Sequence, residues 1–335
     1  MLKPMSNIIS LAQAADLITA AQSIAVFTHE NPDGDAIGSS TGLTLLLREA
    51  GKKCDLFFSS EPPAIYRPFI TAEYSTSLSR EELVSNYDLV IQLDTANTKR
   101  IAAPHGVIID AELPLLVIDH HVDNQQYGRW NVIKEKTATA GIIAELSDIL
   151  APGHKISQQV ATLLMLGLVT DSGCFRFDNT NPEAFHTAGK LLEAGAAYKE
   201  IIERIFFSKP LNRLKFESEL LSNHLELYCN GKVALVKIPS EIIAKYDIIM
   251  ADTEGLIDVF RAIDGVEITI MMYYRANGML KISTRASNPE HPVGPIARAL
   301  GGGGHEMAAG CLFPDGDMDA TAAKIIDLIR EKYQL

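Results

Sequence analysis

Carboxylate and imidazole side chains are grouped at four places in the chain. In chain order the groups are His29 with Asp33 and Asp35, then Asp94, then Asp119 with His120 and His121, and finally Asp171. Taken singly, each group has an ordinary structural explanation, because aspartates commonly cap helices, stabilise turns and follow strands. If the groups converge, however, their carboxylates repel one another unless cations compensate the charge. The pattern therefore predicts a hydrolytic site with two divalent cations.

The mixture of carboxylate and imidazole ligands narrows the choice of ion. Such a set suits Mn²⁺ better than Ca²⁺, with Mg²⁺, Fe²⁺ and Co²⁺ as alternatives. Two cations together activate a water molecule as the nucleophile, so no side-chain nucleophile is required. The four cysteines lie too far apart in sequence for a metal knuckle or a dense disulfide framework, and we expect them to be spectators.

The elements that must position these groups are predicted strands alternating with helices. Apolar runs predict strands at 23–28, 53–58, 89–93, 107–109 and 115–118. An aspartate directly follows each of the last three strands, namely Asp94, Asp110 and Asp119. Helical patterns cover 37–50, 139–150, 157–170, 182–194 and 199–207. The alternation predicts an α/β domain with a parallel sheet, whose carboxyl edge is where ligands bind.

The pattern changes after the last of these helices. Residues 208–221 are polar and predict a connector, which separates a first domain at 1–207 from a second at 222–335. Alternating segments at 226–238, 266–274 and 279–283 are typical of antiparallel strands, and Asn277-Gly278 predicts a hairpin turn between the last two. The second domain is therefore predicted to be a smaller α+β domain.

A run of four glycines, 301–304, lies in this second domain and is followed by His305. One interpretation is a flexible linker. The alternative is a phosphate-binding nest, because glycines let backbone N–H groups approach an anion closely, while His305 and Arg285 add charge and planar stacking. A predicted helix at 295–300 directly before the run favours the nest.

Composition limits the class of substrate. The chain has 335 residues, of which 47% are hydrophobic and 21% charged, as expected for a folded soluble protein. With 30 basic and 42 acidic side chains the net charge is −12, which disfavours binding along a long nucleic acid. The sequence shows neither a secretory signal nor a membrane-spanning run, so we expect a cytoplasmic protein that does not contact membranes.

The motifs together resemble a known superfamily. The order H-x-x-x-D-x-D at 29–35, then Asp94, then Asp119-His120-His121, then Asp171, is similar to the four motifs of the DHH phosphoesterases. Ser283, Arg285 and the segment 301–310 resemble the DHH-associated C-terminal domain. The resemblance covers nearly the whole chain and is closest to the nanoRNase subgroup that also acts as pAp phosphatases.

The resemblance implies a role for each residue. Asp94 would bridge two cations, with His29 and Asp33 mainly on one, and Asp35, His120 and Asp171 mainly on the other. Asp119 would orient the site and His121 would contact the scissile phosphate; either His121 or a metal-bound water would protonate the leaving oxygen. In a cleft between the two domains, substrate would contact Arg285, Gly303, Gly304, His305 and Arg176, although a structural ion pair is an equal alternative for Arg176.

The expected activity is manganese-dependent hydrolysis of short oligoribonucleotides to mononucleotides, together with removal of the 3′-phosphate of pAp. The main alternative is a phosphodiesterase for cyclic or linear dinucleotides, namely c-di-AMP or pApA. A RecJ-like exonuclease would need a further nucleic-acid-binding domain, and a similar pyrophosphatase would lack the glycine run. A catalytically dead nucleotide sensor would have lost a metal ligand, and none is missing. The resemblance is also compatible with a homodimer.

Overall fold

The computed structural model describes residues 7–101, 114–250, 253, 255–314 and 316–335. The predicted strand at 107–109 and Asp110 lie outside these residues. The chain divides into two compact units, Met1–Ser208 and Lys209–Leu335. Among the described helices, none combines the length and apolar character needed to cross a bilayer.

Within the described residues, the first unit is built on a seven-stranded sheet. Its strands are β1 (Asn7–Ile8), β2 (Ser23–Phe27), β3 (Lys53–Phe57), β4 (Tyr74–Ser75), β5 (Leu89–Leu93), β6 (Leu115–Asp119) and β7 (Trp130–Ile133). The strand order is β1-β7-β6-β5-β2-β3-β4, and every pair is parallel. The central strands β5 and β6 are buried along their whole length, which explains their continuous apolar sequences. The predicted parallel sheet is confirmed.

Seven helices accompany this sheet in the described residues. They are α1 (Leu11–Ala20), α2 (Gly34–Glu49), α3 (Arg80–Asn86), α4 (Thr139–Leu150), α5 (Gln158–Asp171), α6 (Pro182–Glu193) and α7 (Tyr198–Ile202), the last continuing into one π-helical turn, Glu203–Phe207. Helices α2 and α5 touch through glycines: a Cβ on Gly38 would lie 2.8 Å from the Gly167 nitrogen, and one on Gly167 would lie 2.6 Å from Asp35 Oδ1. This close packing sets the start of α2 against the end of α5.

In the part of the second unit that the structure describes, the strands form a six-stranded mixed sheet. Its strands are β8 (Leu225–Tyr228), β9 (Val233–Ile238), β10 (Ile268–Tyr274), β11 (Leu280–Ala286), β12 (Gly303–Gly304) and β13 (Ala308–Phe313), in the order β12-β13-β11-β10-β9-β8. The helices are α8 (Leu211–Asn223), α9 (Ser240–Lys245), α10 (Leu256–Arg261), α11 (Gly294–Ala299) and α12 (Met318–Tyr333). The polar segment predicted as a connector largely forms α8, whose Phe216 and Leu220 are buried in this unit.

Two details of the strand prediction in this unit are wrong. The segment 226–238 is a hairpin of β8 and β9 rather than one strand, because Cys229, Asn230 and Gly231 all have positive φ and reverse the chain. Strands β9 and β10 pair in parallel rather than antiparallel. The connection between them contains α9 and α10, and it is long enough for a crossover. The turn at Asn277-Gly278 is confirmed, with Gly278 at φ 80°.

The two faces of the second sheet are covered unequally. One face carries a continuous core that includes Leu280, Ile282 and Ile325, with α11 and α12 packed on it. On the other face α8 and α10 cover β9 and β10 through Phe216 and Phe260. Strand β11 alternates between these faces, so that Leu280 and Ile282 are buried while the intervening residues are only half-buried.

Candidate two-metal active site

The sequence-predicted ligands converge at the carboxyl edge of the first sheet. Asp94 directly follows β5 and Asp119 ends β6, while the loop after β2 carries the first motif. Three groups have ligand atoms within 4.8 Å of one another: His29, Asp33 and Asp94; Asp35, His120 and Asp171; and Asp94, Asp119, His120 and His121. The first two groups correspond to the sets that the resemblance assigns to separate ions. The sheet thus brings together side chains that are up to 142 positions apart (171 − 29).

Two imidazoles are held so that the same ring nitrogen faces the carboxylates. His29 Nδ1 lies 2.7 Å from the Glu30 carbonyl, and His120 Nδ1 lies 3.1 Å from the Lys136 carbonyl. A carbonyl only accepts, so Nδ1 carries a proton in both rings, and Nε2 is the nitrogen that a cation would bind. His29 Nε2 is 3.7 Å from Asp94 Oδ2, and His120 Nε2 is 3.6 Å from Asp94 Oδ1. This tautomer is the one that binds a metal.

Asp35 is buried at the first turn of α2 and is held by the start of another helix. Its Oδ2 accepts from the Thr139 backbone N–H at 2.6 Å and its Oδ1 from the Ala140 N–H at 2.9 Å. These are N–H groups of the first turn of α4, which have no partner inside their own helix. Burial and the nearby charges of Asp94 and Asp171 nevertheless raise the pKa of Asp35 well above its ordinary value.

Asp94 lies at the centre of the cluster. Its φ of 52° is in the left-handed region, where aspartate is tolerated better than most residues. The Thr139 hydroxyl donates to Asp94 Oδ1 at 3.1 Å, so Thr139 bonds both Asp94 and Asp35. Burial, together with repulsion from Asp33, raises the pKa of Asp94. Sequence reasoning missed Thr139, because nothing in its local pattern reveals partners 45 and 104 positions away.

The remaining ligands indicate a cluster with too little positive charge. Burial raises the pKa of Asp171 to about 7, against the opposing effect of His120. Although burial lowers the pKa of His120, the charges of Asp94, Asp171 and Asp35 raise it to about 9. Both shifts have the same physical cause, namely carboxylates confined together away from water. Divalent cations would relieve this repulsion, so the donor set fits them in charge and in chemistry.

Asp119 is fully buried and holds His121. Its Oδ1 accepts from His121 Nδ1 at 2.7 Å and from the His120 backbone N–H at 2.8 Å. Its Oδ2 accepts from Asn124 Nδ2 at 2.5 Å. Burial opposes ionisation of Asp119, but the bonds from His121 and Asn124 outweigh it and lower the pKa. Asp119 is therefore an ionised group that fixes the tautomer and orientation of His121; the part played by Asn124 was not predicted.

A left-handed turn follows Asp171. Gly173, Cys174 and Phe175 have φ between 55° and 61°, and the turn leads to Arg176. Arg176 Nε donates to the Gly173 carbonyl at 2.6 Å, and its guanidinium lies 5.7 Å from the Phe206 ring centre. In this arrangement Arg176 closes its own turn, and no carboxylate partner supports the ion-pair alternative among the described residues.

The glycine run of the second unit forms a short strand and a tight loop. Gly303 and Gly304 pair with Gly310 and Ala309, and both glycines and His305 are exposed. Gly304 has φ 128°, and a Cβ there would lie 2.6 Å from the Ala308 carbonyl oxygen. A side chain is therefore excluded at this position, which is inconsistent with an unstructured linker.

Half-buried polar residues of β11 lie on the side of the sheet away from the α11 core. They are Lys281, Ser283 and Arg285, at alternate positions of the strand. Burial, with the charges of Arg275 and Arg285, lowers the pKa of Lys281. Sequence reasoning missed Lys281, although its spacing of four from Arg285 along one strand face was readable.

These features define an α/β protein with an acidic and imidazole cluster suited to divalent cations. The DHH family, N-terminal domain, matches residues 23–168 and the DHHA1 domain matches residues 230–331. The bifunctional oligoribonuclease and PAP phosphatase NrnA of Thermus thermophilus is 31% identical over 320 residues, which cover 95% of this chain and 93% of that protein. The chain belongs to the DHH family.

Two further proteins are similar to this chain at lower identity. The crystal structure of an exopolyphosphatase-related protein from Bacteroides fragilis has a TM-score of 0.87 and 26% identity, over 97% of this chain and 96% of that one. The cyclic-di-AMP phosphodiesterase PdeA of Listeria monocytogenes is 23% identical over 94% of this chain, but this match spans only 48% of that protein.

Proposed function

We propose that the protein is a metal-dependent phosphoesterase that hydrolyses short oligoribonucleotides to mononucleotides and converts pAp to AMP. The observation that carries the proposal is the pair of ligand groups that share Asp94, His29 with Asp33 on one side and Asp35 with His120 and Asp171 on the other. The end-to-end similarity to an oligoribonuclease and PAP phosphatase supports this substrate class.

The chemistry assigned to the site follows from its donor set. Paired divalent cations, when bound, supply an activated water and stabilise charge on the phosphoryl oxygens. Mn²⁺ is the favoured ion because imidazole and carboxylate ligands are mixed. Neither ion needs a cysteine ligand. The four cysteines are free, which is compatible with the cytoplasmic location that we propose.

His121 is the residue we assign to the scissile phosphate. Its Nδ1 is bonded to the ionised Asp119, so Nε2 is the ring nitrogen that can contact substrate. Burial lowers the pKa of His121, but the bond and charge of Asp119 outweigh burial and raise it. A protonated Nε2 can donate to a phosphoryl oxygen or to the leaving oxygen, which fits both roles left open by the sequence.

The second unit is assigned the recognition of the rest of the substrate. Arg285 and His305 bring positive charge or planar stacking, and the exposed Gly303 and Gly304 bring backbone N–H groups. Lys281 adds a second cation on the strand face that carries Arg285. With a net charge of −12, the protein would bind a short nucleotide locally and reject a long strand. Arg176 stays a candidate for substrate binding.

A second candidate is hydrolysis of cyclic or linear dinucleotides such as c-di-AMP and pApA. The similarity to PdeA favours it, although that relative is more distant and about twice as long. Because both reactions break phosphate esters, the metal-site residues alone do not separate them.

The test is a parallel assay of pAp, pApA, c-di-AMP, and RNA and DNA oligomers of increasing length, with Mn²⁺ added to chelated protein. We expect pAp and RNA dinucleotides to be preferred and the rate to fall sharply beyond about five nucleotides, because the acidic exterior repels the overhang. Preference for c-di-AMP would select the second candidate. Undiminished cleavage of long single strands would contradict both.

A further inference from the structure

Arg100 lies beside the candidate metal site but belongs to none of its motifs. It ends a short 3₁₀ turn, Thr98–Arg100, that follows β5 and Asp94. The Arg100 carbonyl accepts from the Glu30 backbone N–H at 2.8 Å, and the Asn97 side chain accepts from the Lys99 N–H at 3.1 Å. The first bond joins the backbone of Arg100 to the loop that carries His29, and the second caps the 3₁₀ turn itself.

The guanidinium of Arg100 lies against the His29 ring. Its Nη2 is 3.1 Å from Nδ1 and 3.2 Å from Nε2. Because Nη2 is almost equally far from both ring nitrogens, it lies over the face of the imidazole rather than in line with the lone pair of either nitrogen. Within the described parts of the chain, Arg100 forms no ion pair with a carboxylate at 4.0 Å or less. A half-buried guanidinium without a carboxylate partner among the described residues therefore lies against the ring of a candidate metal ligand.

Binding of a cation would push this guanidinium away from the ring. A cation bound at His29 Nε2 would lie close to Arg100 and would repel its positive charge. Because its backbone is held by Glu30, the side chain would turn only as far as the rim of the site. There its planar set of N–H donors needs an anionic acceptor, and phosphoryl oxygens match that set.

We propose that Arg100 binds a non-bridging oxygen of the substrate phosphate beside the cation held by His29 and Asp33. This role rests on the proposed phosphoesterase function and adds a contact at the reacting phosphate. It differs from the role of Arg285, which is assigned to the distal part of the substrate. In the metal-free protein, the positive charge of Arg100 would partly compensate the negative charge of the carboxylates.

The test compares Arg100→Gln with Lys99→Gln, an exposed neighbour of the same charge. Calorimetry would measure Mn²⁺ binding to the chelated protein and then inorganic phosphate binding to the Mn²⁺-loaded protein. For Arg100→Gln we expect Mn²⁺ to bind as tightly as to the parent or more tightly, because a repulsive charge is gone. Phosphate should bind roughly ten- to a hundredfold more weakly, as expected for a lost charge-assisted hydrogen bond. Lys99→Gln should match the parent in both measurements.

Turnover provides the second readout. Arg100→Gln should slow pAp and bis(p-nitrophenyl) phosphate to similar extents, because both contain the reacting phosphate. Arg100→Lys should recover part of the phosphate affinity, since it restores a point charge without the planar fork. Unchanged phosphate affinity in Arg100→Gln would overturn the proposal, and so would a loss of Mn²⁺ affinity as large as the loss of phosphate affinity. If the parent hydrolysed no phosphoester, the proposed function would fail while the two binding measurements still decided the role of Arg100.

Discussion

The carboxylate cluster of the first unit and the glycine loop of the second unit are built in opposite ways. In the first unit, Asp35 and Asp119 are buried; backbone N–H groups of α4 hold Asp35, and His121 and Asn124 of the following loop hold Asp119. In the second unit, Gly303, Gly304 and His305 are exposed, and a two-residue strand pair defines their backbone.

The difference reflects what each region has to do. Burying several carboxylates is costly, so it is tolerated only where bonds and cations compensate for the lost water. Such a site holds its ligands in place before substrate arrives, which suits a reaction. An exposed loop fixes its groups less rigidly but is accessible to many ligands, which suits binding. Changes in the first unit should therefore abolish the chemistry for every substrate, and changes in the second should alter substrate preference.

The strongest test of this division is Asp94→Asn. Asparagine tolerates the left-handed backbone at this position, so the fold should persist while the shared negative charge is lost. We expect turnover of every phosphoester to fall by roughly three orders of magnitude, because several kcal/mol of charge stabilisation depends on the cations. Bound metal, measured by elemental analysis, should fall as well. Asp123→Asn, at an exposed position two residues after the third motif, is the control and should behave as the parent. Full activity in folded Asp94→Asn protein would refute the assignment.

A smaller effect is expected for Thr139, which touches two carboxylates but no substrate. Thr139→Val removes the hydroxyl bond to Asp94 and keeps both the backbone bond to Asp35 and the side-chain volume. Residues behind metal ligands typically contribute about ten- to a hundredfold to metal affinity or activity, and we expect a loss in that range. Thr139→Ser retains the hydroxyl and should recover most of the lost metal affinity. Metal titration of the parent and the two variants checks this order of affinities; equal affinities would show that the hydroxyl does not position Asp94.

The effect of the second unit should depend on the substrate. Arg285→Ala and His305→Ala should reduce turnover of pAp and dinucleotides by about ten- to a hundredfold, the usual contribution of a charge-assisted bond to phosphate. Bis(p-nitrophenyl) phosphate lacks the distal phosphate and base, so its hydrolysis should stay within about threefold of the parent. Comparing kcat/KM for both substrates measures the difference. Equal losses on both would place these residues in the chemistry instead.

The smallest effect is expected for the cysteines. Cys54 and Cys311 are buried, and Cys174 and Cys229 are half-buried and outside the ligand groups. A thiol-blocking reagent should leave the rate unchanged, because the proposed reaction has no thiol nucleophile. Activity and circular dichroism would be followed together. Loss of activity without unfolding would require a different mechanism.

The parts of the fold that the sequence predicts well are those with strong local patterns. The fully buried run Leu89–Leu93 is a strand with the predicted bounds, and Thr139–Leu150 is a helix with the predicted bounds. Short edge strands such as Asn7–Ile8 and Tyr74–Ser75 were missed, because two residues carry no periodicity. The direction in which β9 and β10 pair was also missed, since alternation is the same in parallel and antiparallel strands.

The residues of the candidate site also differ in how well the sequence predicts them. Motif residues such as Asp94 and His120 could be singled out because charged groups follow apolar strands, and the sheet explains why they meet. Thr139, Asn124 and Arg100 could not, because each acts through partners that only the folded chain supplies. Thr139 has an ordinary helix-start position in sequence, and its hydroxyl bond to Asp94 depends on the placement of α4 beside β5 and α2.

The most direct test of the central claim is one titration of chelated protein with Mn²⁺, in which bound metal and pApA turnover are measured in the same samples. The account predicts no turnover without metal, two ions bound per chain at saturation, and a rate that rises with occupancy of the second ion. Turnover that persists in fully chelated protein, or that saturates with a single ion bound, would contradict a two-metal phosphoesterase.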